Sequence, residues 1–177
     1  FLMISHWAYI LIGDNDTGKT SFQKHLLEML CDFKYVKLPI NTHKPISDPR
    51  APRHFNYLST MNRSYQEKKQ LYGSVQGFFR NHFKDADVCI LSSHAHGNSI
   101  DDIREMIDEL NARAYNVGGV FWSNSFNKDS KEISKLPWQE RLWLRNPVRK
   151  RSDAINKQIY ECAYMFSDML IERSRVR

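Results

Sequence analysis

The chain has 177 residues, 41% of them hydrophobic and 26% charged, with a mean hydropathy of -0.59. That length suits one globular domain; no apolar run approaches the roughly 18 residues needed to span a bilayer, and the first residues lack the pattern of a signal peptide. Lysine and arginine number 26 against 20 aspartate and glutamate, a surplus of +6 that favours an anionic partner without naming one.

Three cysteines, Cys31, Cys89 and Cys162, lie far apart among apolar residues. They form no disulfide or metal pattern, so the expectation is a reducing, cytoplasmic setting. In chain order, Trp7 to Ile12 is an apolar run of β-type residues closed by Gly13 and reads as a strand buried on both faces. Phe22, Leu26, Leu27 and Leu30 then repeat at helical spacing, predicting a helix from about Lys19 to Asp32. Tyr35 to Leu38 reads as a second strand stopped by Pro39. The stretch 41–60, with Pro45, Pro49 and Pro52 and no sustained periodicity, reads as a long basic loop. From about Met61 to Phe83 the aromatic residues align on a helix interrupted by Gly73 and Gly77. Val88 to Leu91 is the next strand, Ser99 caps a helix with Ile103, Met106, Ile107 and Leu110 on its apolar stripe, and Val117 to Trp122 is a fourth strand. A basic, lid-like region occupies 124–151, and residues 152–174 form a closing helix. Alternating strands and helices predict a single α/β domain over 1–177, with a mostly parallel sheet of at least four strands between helices.

The chemistry is concentrated in Gly13-Asp14-Asn15-Asp16-Thr17-Gly18-Lys19-Thr20, a full match to G-x-x-x-x-G-K-[ST] placed after a strand and opening a helix, where its mechanism requires it. Gly13 and Gly18 let the backbone wrap an anion, and the N–H groups of the helix start face it. Lys19 supplies a point charge to the β and γ oxygens, Thr20 a hydroxyl to Mg²⁺, and Ser21 a hydrogen bond to the α-phosphate. Asp14 and Asp16 would repel a nucleotide unless they face outward or help to hold the metal.

The segment LIGDNDTGKTSF resembles the P-loop NTPases, and its wording is similar to the first guanine-nucleotide motif of Rab-like small GTPases. The resemblance implies a three-layer P-loop NTPase-like domain that takes ATP or another nucleoside triphosphate with Mg²⁺. The remaining GTPase motifs are absent: His94-Ala95-His96-Gly97 and Asn127-Lys128-Asp129-Ser130 each lack the aspartate that D-x-x-G and N-K-x-D require, so ATP is expected ahead of GTP.

Hydrolysing P-loop enzymes carry a carboxylate at the end of a later strand, but the strand ending at Leu91 runs into Ser92-Ser93-His94. His94 and His96 raise a zinc site, a bond to phosphate or water, or a plain polar loop as readings, and Asn124 is similar to the polar sensor of AAA-type ATPases. Two basic stretches stand where P-loop kinases bind their acceptor and carry an arginine lid. The first holds Lys44, Arg50, Arg53 and Arg63; the second holds Arg141, Arg145, Arg149, Lys150 and Arg151, with Arg141 and Arg145 as candidate catalytic arginines. The expected activity is phosphoryl transfer to a small acceptor. The alternatives are an ATP hydrolase acting as a switch or motor on nucleic acid, to which Trp138 and Trp143 would contribute stacking, and a nucleotide-binding module without catalysis.

Overall fold

A computed structural model describes residues 6–145 and 153–176 of the chain. Six strands form one sheet: β1 (His6–Ile12), β2 (Asn41–Pro45), β3 (Tyr57–Met61), β4 (Val88–Ser93), β5 (Tyr115–Trp122) and β6 (Glu140–Leu144). Their spatial order is β2-β3-β4-β1-β5-β6. All pairings are parallel except that of β2 with β3. β1 is central because its side chains are apolar on both faces, which only a strand covered on both sides can tolerate.

Six α-helices accompany the sheet: α1 (Lys19–Cys31), α2 (Lys69–Tyr72), α3 (Val75–Asn81), α4 (Ser99–Ala112), α5 (Lys128–Ile133) and α6 (Asp153–Arg175). On one face, Tyr9 and Leu11 of β1 pack with Phe22, Leu26 and Leu30 of α1 and Phe166 and Leu170 of α6. On the other, Ala8, Ile10 and Ile12 pack with Phe78 and Phe79 of α3 and Ile103, Met106 and Leu110 of α4. The alternation of β1 side chains thus feeds two cores, and the domain is an α/β arrangement of helix, sheet and helix layers. Two aromatic pairs belong to the core under α1 and α6: Trp122 meets Phe22 edge-on at 5.2 Å between centroids, and Tyr9 meets Phe166 at 4.9 Å.

Several sequence expectations change. The second strand does not fall at Tyr35 to Leu38, and the stretch 41–60 is not a loop throughout: it holds β2 and most of β3, joined through residues 46–56. Pro45 is accommodated because β2 is an edge strand, where a missing N–H costs no ladder bond. The helix expected over 61–83 is broken into a 3₁₀ turn at Tyr65–Lys68, α2 and α3, with Gly73 at φ 74° between the last two. The residue preceding α4 is Asn98, and Ser99 is its first residue, with the Ser99 hydroxyl donating to the His96 carbonyl at 2.6 Å. The region from Trp138 is not a helical lid in its described part. It forms β6, so Arg141 and Arg145 do not share a helical face. Arg149, Lys150 and Arg151 lie outside the described residues. None of the described helices is long and apolar enough to cross a membrane.

Candidate functional site

α1 leaves the C-terminal end of β1 onto one face of the sheet, while α4 leaves the neighbouring β4 onto the other. In open α/β sheets, this divergence creates a crevice beyond the strand ends where ligands bind. The Gly13 to Gly18 loop lies there, and its backbone explains its glycines. Gly18 has φ 98° and Asp16 φ 62°, so the chain turns through left-handed conformations before α1 begins. A Cβ on Gly13 would stand 2.9 Å from the Thr17 hydroxyl and 3.2 Å from the Trp122 ring, closer than ordinary packing.

The loop is anchored from both sides. The Gly13 N–H donates to the Ser93 carbonyl at 3.1 Å, and the Asp14 N–H donates to the Ser125 hydroxyl at 3.1 Å. The Asp14 carboxylate faces away from the loop interior, accepting from the Ala95 N–H at 3.1 Å and from His96 Nδ1 at 2.6 Å. Burial alone would raise the Asp14 pKa, but these bonds from His96 and Ala95 outweigh it and hold the carboxyl below its ordinary value. The tie therefore contributes above that ordinary value and is lost as pH falls through the depressed one. The His94 ring stacks on His96 with centroids 4.9 Å apart. Its Nε2 lies 3.2 Å from both Asn15 Oδ1 and Glu67 Oε1, so a proton on that nitrogen would serve either acceptor.

Lys19 is 7% exposed. Its ammonium donates to the Gly13 carbonyl and to the Asp14 carbonyl at 2.9 Å. Burial pulls its pKa down to about 8, opposed by the carboxylates of Asp14, Glu67 and Asp16. The Thr20 hydroxyl donates to Asn62 Oδ1 at 2.8 Å, and Asn62 is held in turn by a 2.9 Å bond to the Leu38 carbonyl. Asn15 to Ser21 line a cleft of about 910 Å³, together with Arg63, Ser64 and Glu67 from beyond β3, Asn124 from beyond β5, and Ile155 and Ile159 of α6. Gly13 and Asp14 sit behind this lining.

The expected site residues therefore separate into two groups. Asn15, Asp16, Thr17, Gly18, Lys19, Thr20, Ser21, Asn124 and Arg63 share the cleft. Arg141 and Arg145 are not among its lining residues: Arg141 bonds the carbonyls of Ser134 and Leu136 beyond α5, and Arg145 accepts through its carbonyl from Cys162 Sγ at 3.7 Å. Of the basic residues in 41–60, Lys44 rests over the Phe33 ring at 4.0 Å and Arg50 pairs with Asp48 and Asp168. His94 and His96 serve the loop, and among the described residues no three His, Cys, Asp or Glu side chains are grouped to hold a metal.

Sequence reasoning missed Glu67 and Asn62. Glu67 ends in the cleft because the chain tightens into a 3₁₀ turn after β3, and no motif marks it. Its Oε2 pairs with Arg63 at 3.3 Å. Replacing His96 with Ala would remove one bond that fixes Asp14, at a half-exposed site where such a bond contributes about 1 kcal/mol. The expected result in denaturant melts is a loss of stability of at most about 1 kcal/mol with the circular dichroism spectrum unchanged; an unchanged midpoint would show that the loop is held without it. Comparison of the chain with family models and with curated protein sequences gives no match.

Proposed function

We propose that the chain binds a nucleoside triphosphate with Mg²⁺, ATP ahead of GTP, and transfers the γ-phosphoryl group to a small acceptor. The observation that carries this reading is the buried Lys19 ammonium on the carbonyls of a loop that turns through left-handed Gly18 into α1, at the floor of the cleft. A buried ammonium satisfied by loop carbonyls can move to phosphate oxygens, which return more electrostatic energy than neutral carbonyls do. Asn15 to Thr20 line the same space, and the start of a 13-residue helix adds its dipole.

Mg²⁺ fits this set, because Thr20, with its hydroxyl, and Asp16, with its carboxylate, both line the cleft and Mg²⁺ is usually shared between one or two such oxygens, waters and phosphates. It would neutralise charge on the β and γ oxygens. Asn127, which a guanine-reading motif would need, is engaged as the N-cap of α5, accepting from the Ser130 N–H at 3.0 Å. That favours ATP. Stacking on nucleic acid gains no support from Trp138, which is 7% exposed and bonded to the Ile133 carbonyl.

The test is titration of the protein with MgATP, followed by incubation with γ-labelled ATP and a mixture of small metabolites. Binding together with label appearing in a small molecule is the expected result. Label released only as inorganic phosphate would favour a hydrolase, and absence of ATP binding would refute the reading.

A further inference from the structure

We propose that Glu67 is the general base of this transfer and that the acceptor is an uncharged alcohol. The inference rests on the nucleotide-binding reading above and adds the acceptor class and the group that activates it. A cleft of about 910 Å³ lies at the upper end of the roughly 300–1,000 Å³ that single small-molecule sites occupy, so a second small molecule fits beside a triphosphate. The wall on the β3 side, from Leu38, Asn62, Ser64 and Glu67, comes from segments other than the loop that would hold the phosphates and is tied to it by the Thr20–Asn62 bond.

Charge selects the acceptor. The charged residues lining the cleft are four cations, Lys19, Lys24, Lys37 and Arg63, and two carboxylates, Asp16 and Glu67. Their surplus of two positive charges is matched by a magnesium-bound triphosphate. Arg63, the cation nearest Glu67 in sequence, is already paired with it at 3.3 Å. Among the described residues that line the cleft, no positive charge is left over for a phosphorylated acceptor. A neutral group stands in the wall instead: the Ser64 hydroxyl is buried and has no partner among the described residues, and a ligand hydroxyl that reached it would fill the unmet bond.

Glu67 has the geometry of a held base. His94 fixes one oxygen at 3.2 Å and Arg63 the other, while an ionised carboxylate offers about four acceptor positions, so lone pairs remain for the substrate. As the acceptor oxygen forms its bond to the γ phosphorus, its proton passes to the Glu67 carboxylate. The bond from that phosphorus to the bridging oxygen breaks, and ADP leaves with the electron pair. Positioned bases of this kind contribute about 10²–10⁴-fold to rate.

The experiment compares the parent protein with Glu67→Gln and Glu67→Asp, using γ-labelled ATP and two acceptor panels: glycerol, pentoses, hexoses and nucleosides in one, and the phosphate monoesters of the same compounds in the other. Transfer to a member of the first panel is expected. Glu67→Gln should bind MgATP within twofold of the parent and lose at least 100-fold in kcat, with part of the rate restored in Glu67→Asp. Transfer confined to phosphate monoesters, no transfer despite ATP binding, or a Glu67→Gln kcat within threefold of the parent would each overturn the proposal while leaving nucleotide binding intact. Failure of the parent to bind MgATP would overturn both, and thermal melts of the variants separate lost chemistry from lost fold.

Discussion

Lys19→Met is expected to weaken MgATP binding by roughly 100-fold while leaving the nucleotide-free protein at least as stable as the parent. Charge-assisted hydrogen bonds contribute about 1.5–3 kcal/mol each, and the ammonium would meet the triphosphate at more than one oxygen. In the free protein the same group is a liability: it is 7% exposed, and burial brings its pKa down to about 8. Methionine keeps the apolar stem and removes the charge. The pH dependence carries a definite sign. A lysine whose folded pKa lies below its unfolded value near 10.5 leaves the unfolded state holding more protons between about pH 8 and 10.5, so this group makes stability rise with pH across that window. Buried tyrosines and thiols with raised pKa values, such as Cys89 at about 11, act in the opposite direction there. The informative quantity is therefore the difference between parent and variant in denaturant melts, which should narrow from pH 8 to 10. Calorimetry adds a second reading. Triphosphate binding restores the charge on Lys19, so above pH 8 binding takes up a proton and weakens with rising pH, and Lys19→Met shows neither effect. Parent-like affinity in this variant would remove the phosphate loop from the function of the protein.

Gly118→Ala is expected to cost about 3 kcal/mol of stability, among the larger losses available to a single methyl group. A Cβ on Gly118 would stand 2.6 Å from both Cδ1 and Cε1 of Tyr9. Tyr9 has no room to yield: it is fully buried, packed on Phe166 at 4.9 Å and stacked on Trp7 at 5.7 Å, and its hydroxyl pairs with Arg173. That arginine lies over the Trp7 ring at 4.2 Å and bridges to Glu140 at 2.6 Å. The intruding methyl thus meets a ring fastened at every edge. For a domain of this size the loss corresponds to a fall in Tm of roughly 6–12 °C, measurable by scanning calorimetry. A shift under 2 °C would mean that the Tyr9 ring can tilt, and that the Arg173 network does not fix it.

The central strand and the loop that follows were readable because several constraints agree on the same residues. An apolar run must be buried on both faces, Gly18 must turn left-handed, and the next apolar residues keep helical spacing. β4, α4, β5 and the closing helix were readable for the same reason of periodicity. β2, β3 and β6 were not: β2 and β6 are edge strands whose polar or exposed residues, such as the half-buried His43 and the exposed Trp143, break the apolar pattern, Pro45 sits in β2, and the short β3 mixes Ser59 and Thr60 with its apolar residues. The site was half legible. Residues contiguous with the motif declared themselves. Glu67 did not, since its place depends on a 3₁₀ turn after β3 and on a histidine after β4, neither of which local sequence specifies. Arg141 and Arg145 were assigned to a lid from charge and position alone, and charge has no period to fix the face it occupies.

β1 has a consequence for the order in which the chain can assemble. Its ladder partners are β4 and β5, so the strand that delivers the Gly13–Gly18 loop has no neighbour until residues beyond Asp87 are available. α1, which carries Lys19 and Thr20, buries its apolar stripe partly against α6, the last described helix. Such distant pairings close slowly, because loop entropy is lost before contacts repay it. During synthesis β1 must therefore wait as an unpaired apolar strand until β4 and β5, more than seventy residues further along, have been made. The cleft, which Ile155 and Ile159 of α6 help to line, is therefore complete only once α6 has docked, and any ligand of it would report that step.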